Sequence, residues 1–238
     1  MNINKIRWFE FSYFPLLLGL PFILNIILSL ISNVIGDNIF NNIGQYNMGV
    51  ILDFSVNLII IIIFLLLNNN NIILMKLAVK YLTKHWKSTL IILITVKIIF
   101  EATNKLVTII NDHWNLYNTE NQNQIVHLIV GSNVSYIQII TFFSIVIIGP
   151  MLEEILYRHL IIGELSKIFP YQVMSIISLI IFALIHVQSI NSLYEMFLYL
   201  ILGAPIIFVY IKSNFNIYVS ILTHIFINLT SYFYILLS

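Results

Sequence analysis

The residues best suited to chemistry lie in three short patterns in the second half of the chain. The first is Gly149-Pro150-Met151-Leu152-Glu153-Glu154-Ile155-Leu156-Tyr157-Arg158. On a helix, residues four apart share a face and neighbours diverge by about 100°, so Glu154 can pair with Arg158 while Glu153 points elsewhere without a local cation. One carboxylate is then structural and the other is free to act as a general base on water. The same group of charges would equally serve to end a helix at a membrane edge. The second pattern is His186, one turn after Phe182 in the apolar run 176–187, and it reads either as a hydrogen-bonded packing residue or as a catalyst. The third is His224 with Asn228, again four apart. Imidazole and amide then leave one face together, ready to donate to a developing oxyanion or to bind neighbouring helices.

Such groups need a scaffold, and composition says which kind. The chain has 238 residues, 60% of them hydrophobic and 9% charged, with a mean hydropathy of +0.97. Soluble domains are about 25% charged, so this chain has too little polar surface to cover a globule in water. A bilayer is the medium that fits, and the fold class expected is an all-α, polytopic transmembrane bundle of about 7–8 helices. Runs such as 59–63 are rich in β-branched residues, yet in lipid each backbone group must bond within its own segment, and helix wins over strand. Net charge is +1 without a dense basic patch, which removes any electrostatic case for nucleic-acid binding. With no cysteine, disulfides and thiolate metal sites are excluded, and His, Asp and Glu remain as strong ligands.

Crossings are expected near 10–32, 48–67, 88–110, 134–162, 172–191, 192–211 and 216–237. Lys5, Arg7, Lys76, Lys80, Lys84, Lys87, Arg158, Lys167 and Lys212 fall on one alternating side, which places the N-terminus in the cytoplasm. Lys76, Lys80, Lys84 and Lys87 recur at helical spacing beside Leu74, Leu77, Val79 and Leu82, the pattern of an amphipathic helix lying on the inner surface. Within the third crossing Glu101 stands four residues from both Lys97 and Lys105 and is expected to neutralise the two in a structural ion cluster. The stretch 111–124 reads as a solvated loop and 68–71 as a turn. Asp53 and Glu195 lie near interfaces and are expected to be solvated. His85, His113 and His127 have no partner at helical spacing, and His159 is expected at the inner surface. No fixed-period repeat is present. Residues 1–133 form N-terminal helices without a recognised motif and 134–238 a core that carries the three patterns, in one integrated membrane domain.

Taken in order on successive spans, Glu-Glu-x-x-x-Arg, Phe-x-x-x-His and His-x-x-x-Asn resemble the CAAX-protease and bacteriocin-processing family of intramembrane endopeptidases. The resemblance covers about 135–235, and Pro150 and Tyr157 fit it. His159 departs from it, standing where many members have glycine. The resemblance implies that Glu153 activates a water held or shared by His186, that His224 and Asn228 stabilise the oxyanion, and that Glu154 and Arg158 support them. It also implies candidate ligands for Zn²⁺ in Glu153, His186 and His224, although His-Glu-x-x-His is absent and a metal-free mechanism stays open. The implied partners are a small peptide or membrane-tethered protein substrate and the lipid bilayer, in a multi-pass protein of a bacterial cell membrane with a role in bacteriocin immunity or peptide processing. An idle scaffold of the same fold and a small proton-coupled transporter are the rival readings. The transporter lacks the internal repeat such proteins carry. One registry problem follows from the spans: Glu153 and His186 would differ in depth by about 15 Å. They meet only if the helix bearing Glu153 continues to about Lys167, bent at Pro150.

Overall fold

A computed structural model describes residues 6–13, 15, 16, 23, 26, 45–68, 70–114, 120–131, 133–187, 193 and 195–237. Most of the expected crossing 10–32 lies outside the described residues. Among the described residues eight helices follow in order: α1 (Gln45–Leu67), α2 (Asn71–Lys84), α3 (Trp86–Trp114), α4 (Glu120–Val130), α5 (Ser135–Lys167), α6 (Tyr171–Ile185), α7 (Met196–Lys212) and α8 (Ile217–Leu237). A 3₁₀ turn, Trp8–Ser12, precedes them. No strand occurs among the described residues. The all-α bundle expected from composition is the fold.

Among the described residues three helices are long and apolar enough to cross a membrane: Asn47–Leu67 within α1, α5 and α8. Their outer surfaces carry exposed large apolar side chains such as Leu66, Ile139 and Leu237, the surface lipid would cover. The expected crossings 172–191 and 192–211 are shorter as helices, with 15 residues in α6 and 17 in α7. At 1.5 Å per residue they reach about 23–26 Å, against a hydrocarbon core of about 30 Å. Residues 188–192 between them lie outside the described residues.

Helix α5 holds the centre. It is one element of 33 residues, long enough to carry Glu153 at mid-depth, which removes the registry problem. Pro150 has no N–H to give and its ring would press on the carbonyl four residues back. The chain meets this by winding Ser144–Ile148 as a π turn, in which the Gly149 N–H reaches Ser144 O, five residues back. A second π stretch, Glu154–Glu164, buries Glu154, Ile155, Tyr157, Arg158, Leu160, Ile161, Ile162 and Glu164. Such widening is common at functional sites, and here it turns side chains inward on almost every side. The main core joins Ile60, Ile155, Leu160, Ile162, Tyr210 and Val219, from α1, α5, α7 and α8.

Several sequence expectations change in detail. The basic helix ends at Lys84 with His85 as its C-cap, so Lys87 starts α3 and does not extend the stripe of Lys76, Lys80 and Lys84. The stretch 111–124 is partly helical, because α3 runs to Trp114 and α4 starts at Glu120. The driving force for α4 is the spacing of Ile125, Leu128 and Ile129, a helical apolar stripe among amides. Residues 115–119 lie outside the described residues. Glu195 is fully buried, not solvated. It sits just before α7, where the positive end of the helix dipole favours a carboxylate. Asp53 is exposed. Glu101 pairs with Lys97 at 2.8 Å, and Lys105 is exposed.

Candidate active site

Glu153, Glu154 and Arg158 come from α5, His186 from the end of α6, and His224 and Asn228 from α8. Tight packing lets these helices bring polar groups together. Gly203 on α7 has no room for a side chain, since a Cβ there would stand 2.8 Å from Leu179 Cδ1 and 2.9 Å from Phe182 Cδ1. Its carbonyl accepts from Arg158 Nη2 at 3.4 Å. Phe182 in turn lies beneath the Arg158 guanidinium, 4.8 Å from its ring centre, and against His186 at 4.7 Å. Gly203→Ala is therefore expected to displace Phe182, and with it His186. Overpacking of this kind costs about 1–3 kcal/mol, more than the helix gains from alanine over glycine, about 1 kcal/mol. A lowered Tm together with a lost activity checks it.

The two glutamates have different surroundings. Glu154 is fully buried, 3.2 Å from Arg158 Nε, whose side chain is also fully buried. The contact is an ion pair by distance without an aligned hydrogen bond, since neither atom has a hydrogen-bond partner. The other oxygen of Glu154 lies 2.9 Å from His224 Nδ1, so an N–H at Nδ1 donates to it and Nε2 is left facing Glu153. Glu153 is 28% exposed, with Oε1 3.8 Å from His186 Nε2 and Oε2 3.7 Å from His224 Nε2. These separations exceed a direct hydrogen bond and suit a water touching carboxylate and imidazole together.

His186 is the C-cap residue of α6, and its Nδ1 lies 2.7 Å from Phe182 O. The carbonyl can only accept, so Nδ1 carries the proton there and Nε2 faces Glu153. Tyr199 of α7 stacks on the ring at 4.4 Å and 22°. Asn228 gives one amide N–H to Ile145 O at 3.0 Å, at the π turn, and keeps a second for other use. Glu153, His186, His224 and Asn228 all line one cavity of about 290 Å³, whose apolar wall includes Ile129, Ile206 and Tyr232.

Spacing did not point to Tyr199, Gly203 or the Ile145 carbonyl, because their contacts cross between helices. His159 is another such case: its Nε2 lies 2.9 Å from Glu10 Oε2 and 3.2 Å from Arg7 Nη2. Arg7 also pairs with Glu10 at 2.9 Å and Glu164 at 3.1 Å, and Lys167 pairs with Glu164 at 2.7 Å. Glu10, His159 and Glu164 are the group of metal-capable residues whose donor atoms lie within 4.8 Å of one another among the described residues. Arg7 and Lys167 already neutralise the two carboxylates, so the group clamps the N-terminal segment to α5.

Comparison with known proteins came to one match. Residues 135–230, about two-fifths of the chain, match the sequence profile of a family described as type II CAAX prenyl endopeptidase Rce1-like. No curated protein and no solved structure gives a significant match.

Proposed function

We propose, from the premise that residues 135–230 belong to the Rce1-like family of type II CAAX prenyl endopeptidases, that the chain hydrolyses a peptide bond with a water activated by Glu153. The observation that carries this is the position of Glu153 between His186 Nε2 at 3.8 Å and His224 Nε2 at 3.7 Å, on the wall of a cavity. Glu153 takes a proton from a water shared with His186, and the hydroxide adds to the peptide carbonyl. The oxyanion accepts from the second N–H of Asn228 and from His224 acting as an imidazolium, which donates Nδ1–H to Glu154 and Nε2–H to the oxyanion. The tetrahedral adduct then breaks at the C–N bond, and the leaving amine takes the proton from Glu153. Glu154 and Arg158 orient His224 and balance charge.

A Zn²⁺ ion would have Glu153, His186 and His224 as donors. These three are not among the groups whose donor atoms lie close enough together to share an ion. Holding one would require the three donors to draw closer together, and the reaction is accordingly routed through Glu153 and water.

The substrate class is a small peptide or a membrane-tethered segment, in bacteriocin immunity or peptide processing. The protein would sit in a bacterial cell membrane, with a cytoplasmic N-terminus and Lys76, Lys80 and Lys84 at the inner surface. Purified protein in detergent, given such peptides with and without chelator, is expected to cleave at the same rate in both. Cleavage lost to chelator and restored by Zn²⁺ would contradict the metal-free route, and no cleavage at all would leave an idle scaffold. Asn228→Ala is expected to lower kcat about 10²–10³-fold, the usual cost of one oxyanion donor, with KM nearly unchanged. A loss confined to KM would contradict that role.

A further inference from the structure

Helix α2 (Asn71–Lys84) has two faces that neither water nor hydrocarbon satisfies together. Its inner face packs Leu74, Ala78, Tyr81 and Leu82 against the main core. On the outer face Lys76, Lys80 and Lys84 are exposed and stand four apart, each about 40° on from the last, so they form one stripe. Exposed apolar side chains flank it on both sides, Ile72 (71% exposed) and Val79 on one, Ile73 and Leu77 on the other. Water disfavours that apolar surface, and hydrocarbon disfavours the ammonium groups. With 14 residues the helix reaches about 21 Å, too short to cross a core of about 30 Å. The headgroup layer accepts both kinds of group, with lysine stems along the acyl boundary and ammonium groups at phosphate level.

The charge on this stripe is not used inside the protein. Arg7, Lys97, Arg158 and Lys167 each pair with a carboxylate. Among the described residues no carboxylate pairs with Lys76, Lys80 or Lys84, and α2 itself contains none. Three like charges along about 12 Å of helix repel one another and call for anions from outside. Just beyond the stripe Trp86 is exposed, with Lys87 Nζ 5.7 Å from its ring centre. An exposed tryptophan beside a lysine is the kind of anchor that marks a membrane interface.

We propose that α2 binds anionic phospholipid headgroups, with the phosphates held by Lys76, Lys80 and Lys84. The chemistry of the partner follows from the donors: ammonium groups are compact point charges that suit phosphate oxygens, and the apolar flanks suit the acyl chains below them. The consequence reaches the helix that carries His224 and Asn228. Asn216 Nδ2 donates to Leu74 O at 2.9 Å, and its Oδ1 accepts from Tyr218 N at 3.0 Å, so the start of α8 is tied to α2. Headgroups that hold α2 therefore brace that end of α8. None of the α2 residues lines the cavity at Glu153, and the proposal does not depend on the endopeptidase reading.

Thermal unfolding of the purified protein in non-ionic detergent, titrated with phosphatidylglycerol or with phosphatidylcholine, tests it. Tm is expected to rise and saturate with phosphatidylglycerol, to rise less with phosphatidylcholine, and to lose part of the difference as salt is added. A lysine near an anionic surface is worth about fivefold in affinity, so Lys76→Gln, Lys80→Gln and Lys84→Gln together should raise the half-saturating phosphatidylglycerol about 10²-fold. Lys105→Gln, at an exposed position further along α3, should leave it unchanged. If the triple variant does not fold, the three single variants, at about fivefold each, carry the test. Equal rises with the two lipids, a rise kept in full by the folded glutamine variants, or the same rise with inorganic phosphate alone would overturn the proposal.

Discussion

Glu153→Gln is expected to lower the rate of peptide cleavage by about 10²–10⁴-fold, the range a positioned general base contributes. The change keeps the side chain's volume and removes its charge and basicity. It should leave the fold intact, because Glu153 stands 3.8 and 3.7 Å from the two imidazoles, beyond hydrogen-bond distance, and its buried Oε2 makes no hydrogen bond. Cleavage rates of wild type and variant, with Tm measured in parallel, separate a chemical loss from a folding loss. An unchanged rate in the folded glutamine variant would remove Glu153 from the reaction.

The second large effect is on stability. Arg158→Met leaves the fully buried Glu154 carboxylate with His224 as its remaining partner. Removing one member of a buried ion pair costs about 3–5 kcal/mol, because the other charge stays desolvated. The double variant Glu154→Gln with Arg158→Met removes both charges and should recover most of that loss. Thermal unfolding of both single variants and the double variant in the same detergent checks this. A double variant as unstable as the sum of the single ones would show that the two side chains act separately.

These two predictions draw on features of different visibility in the sequence. The Glu154–Arg158 pair was legible, because a spacing of four residues on a helix places side chains on one face. The helical bundle was legible for a different reason: apolar runs of spanning length leave backbone hydrogen bonds no partner but their own segment. The continuation of α5 to Lys167 was legible as the only way to bring Glu153 and His186 to one depth. What spacing could not give was which helix faces meet. Tyr199 on His186, Gly203 under Phe182 and the Ile145 carbonyl on Asn228 are contacts between helices, each settled by packing.

The clamp at the other end of the π stretch was hidden for the same reason. Arg7 and Glu164 lie 157 residues apart in sequence, and Glu10 and His159 lie 149 apart. His159 ties the N-terminal segment to α5 through Glu10 and Arg7. The π winding itself left a trace only in Gly149-Pro150, where the missing N–H made some local adjustment necessary without saying which. Glu195 was misread because its nearness to a helix end suggested water, whereas the fold closes over it.

The central claim is that water adds to a peptide carbonyl at Glu153. Cleavage of a membrane-tethered peptide in H₂¹⁸O, followed by mass spectrometry of both fragments, tests it most directly. The account predicts one ¹⁸O in the newly formed carboxyl group of the N-terminal fragment and none in the C-terminal fragment, with labelled product absent for Glu153→Gln. No cleaved product from the folded wild-type protein, or labelled product formed equally well by the glutamine variant, would contradict it.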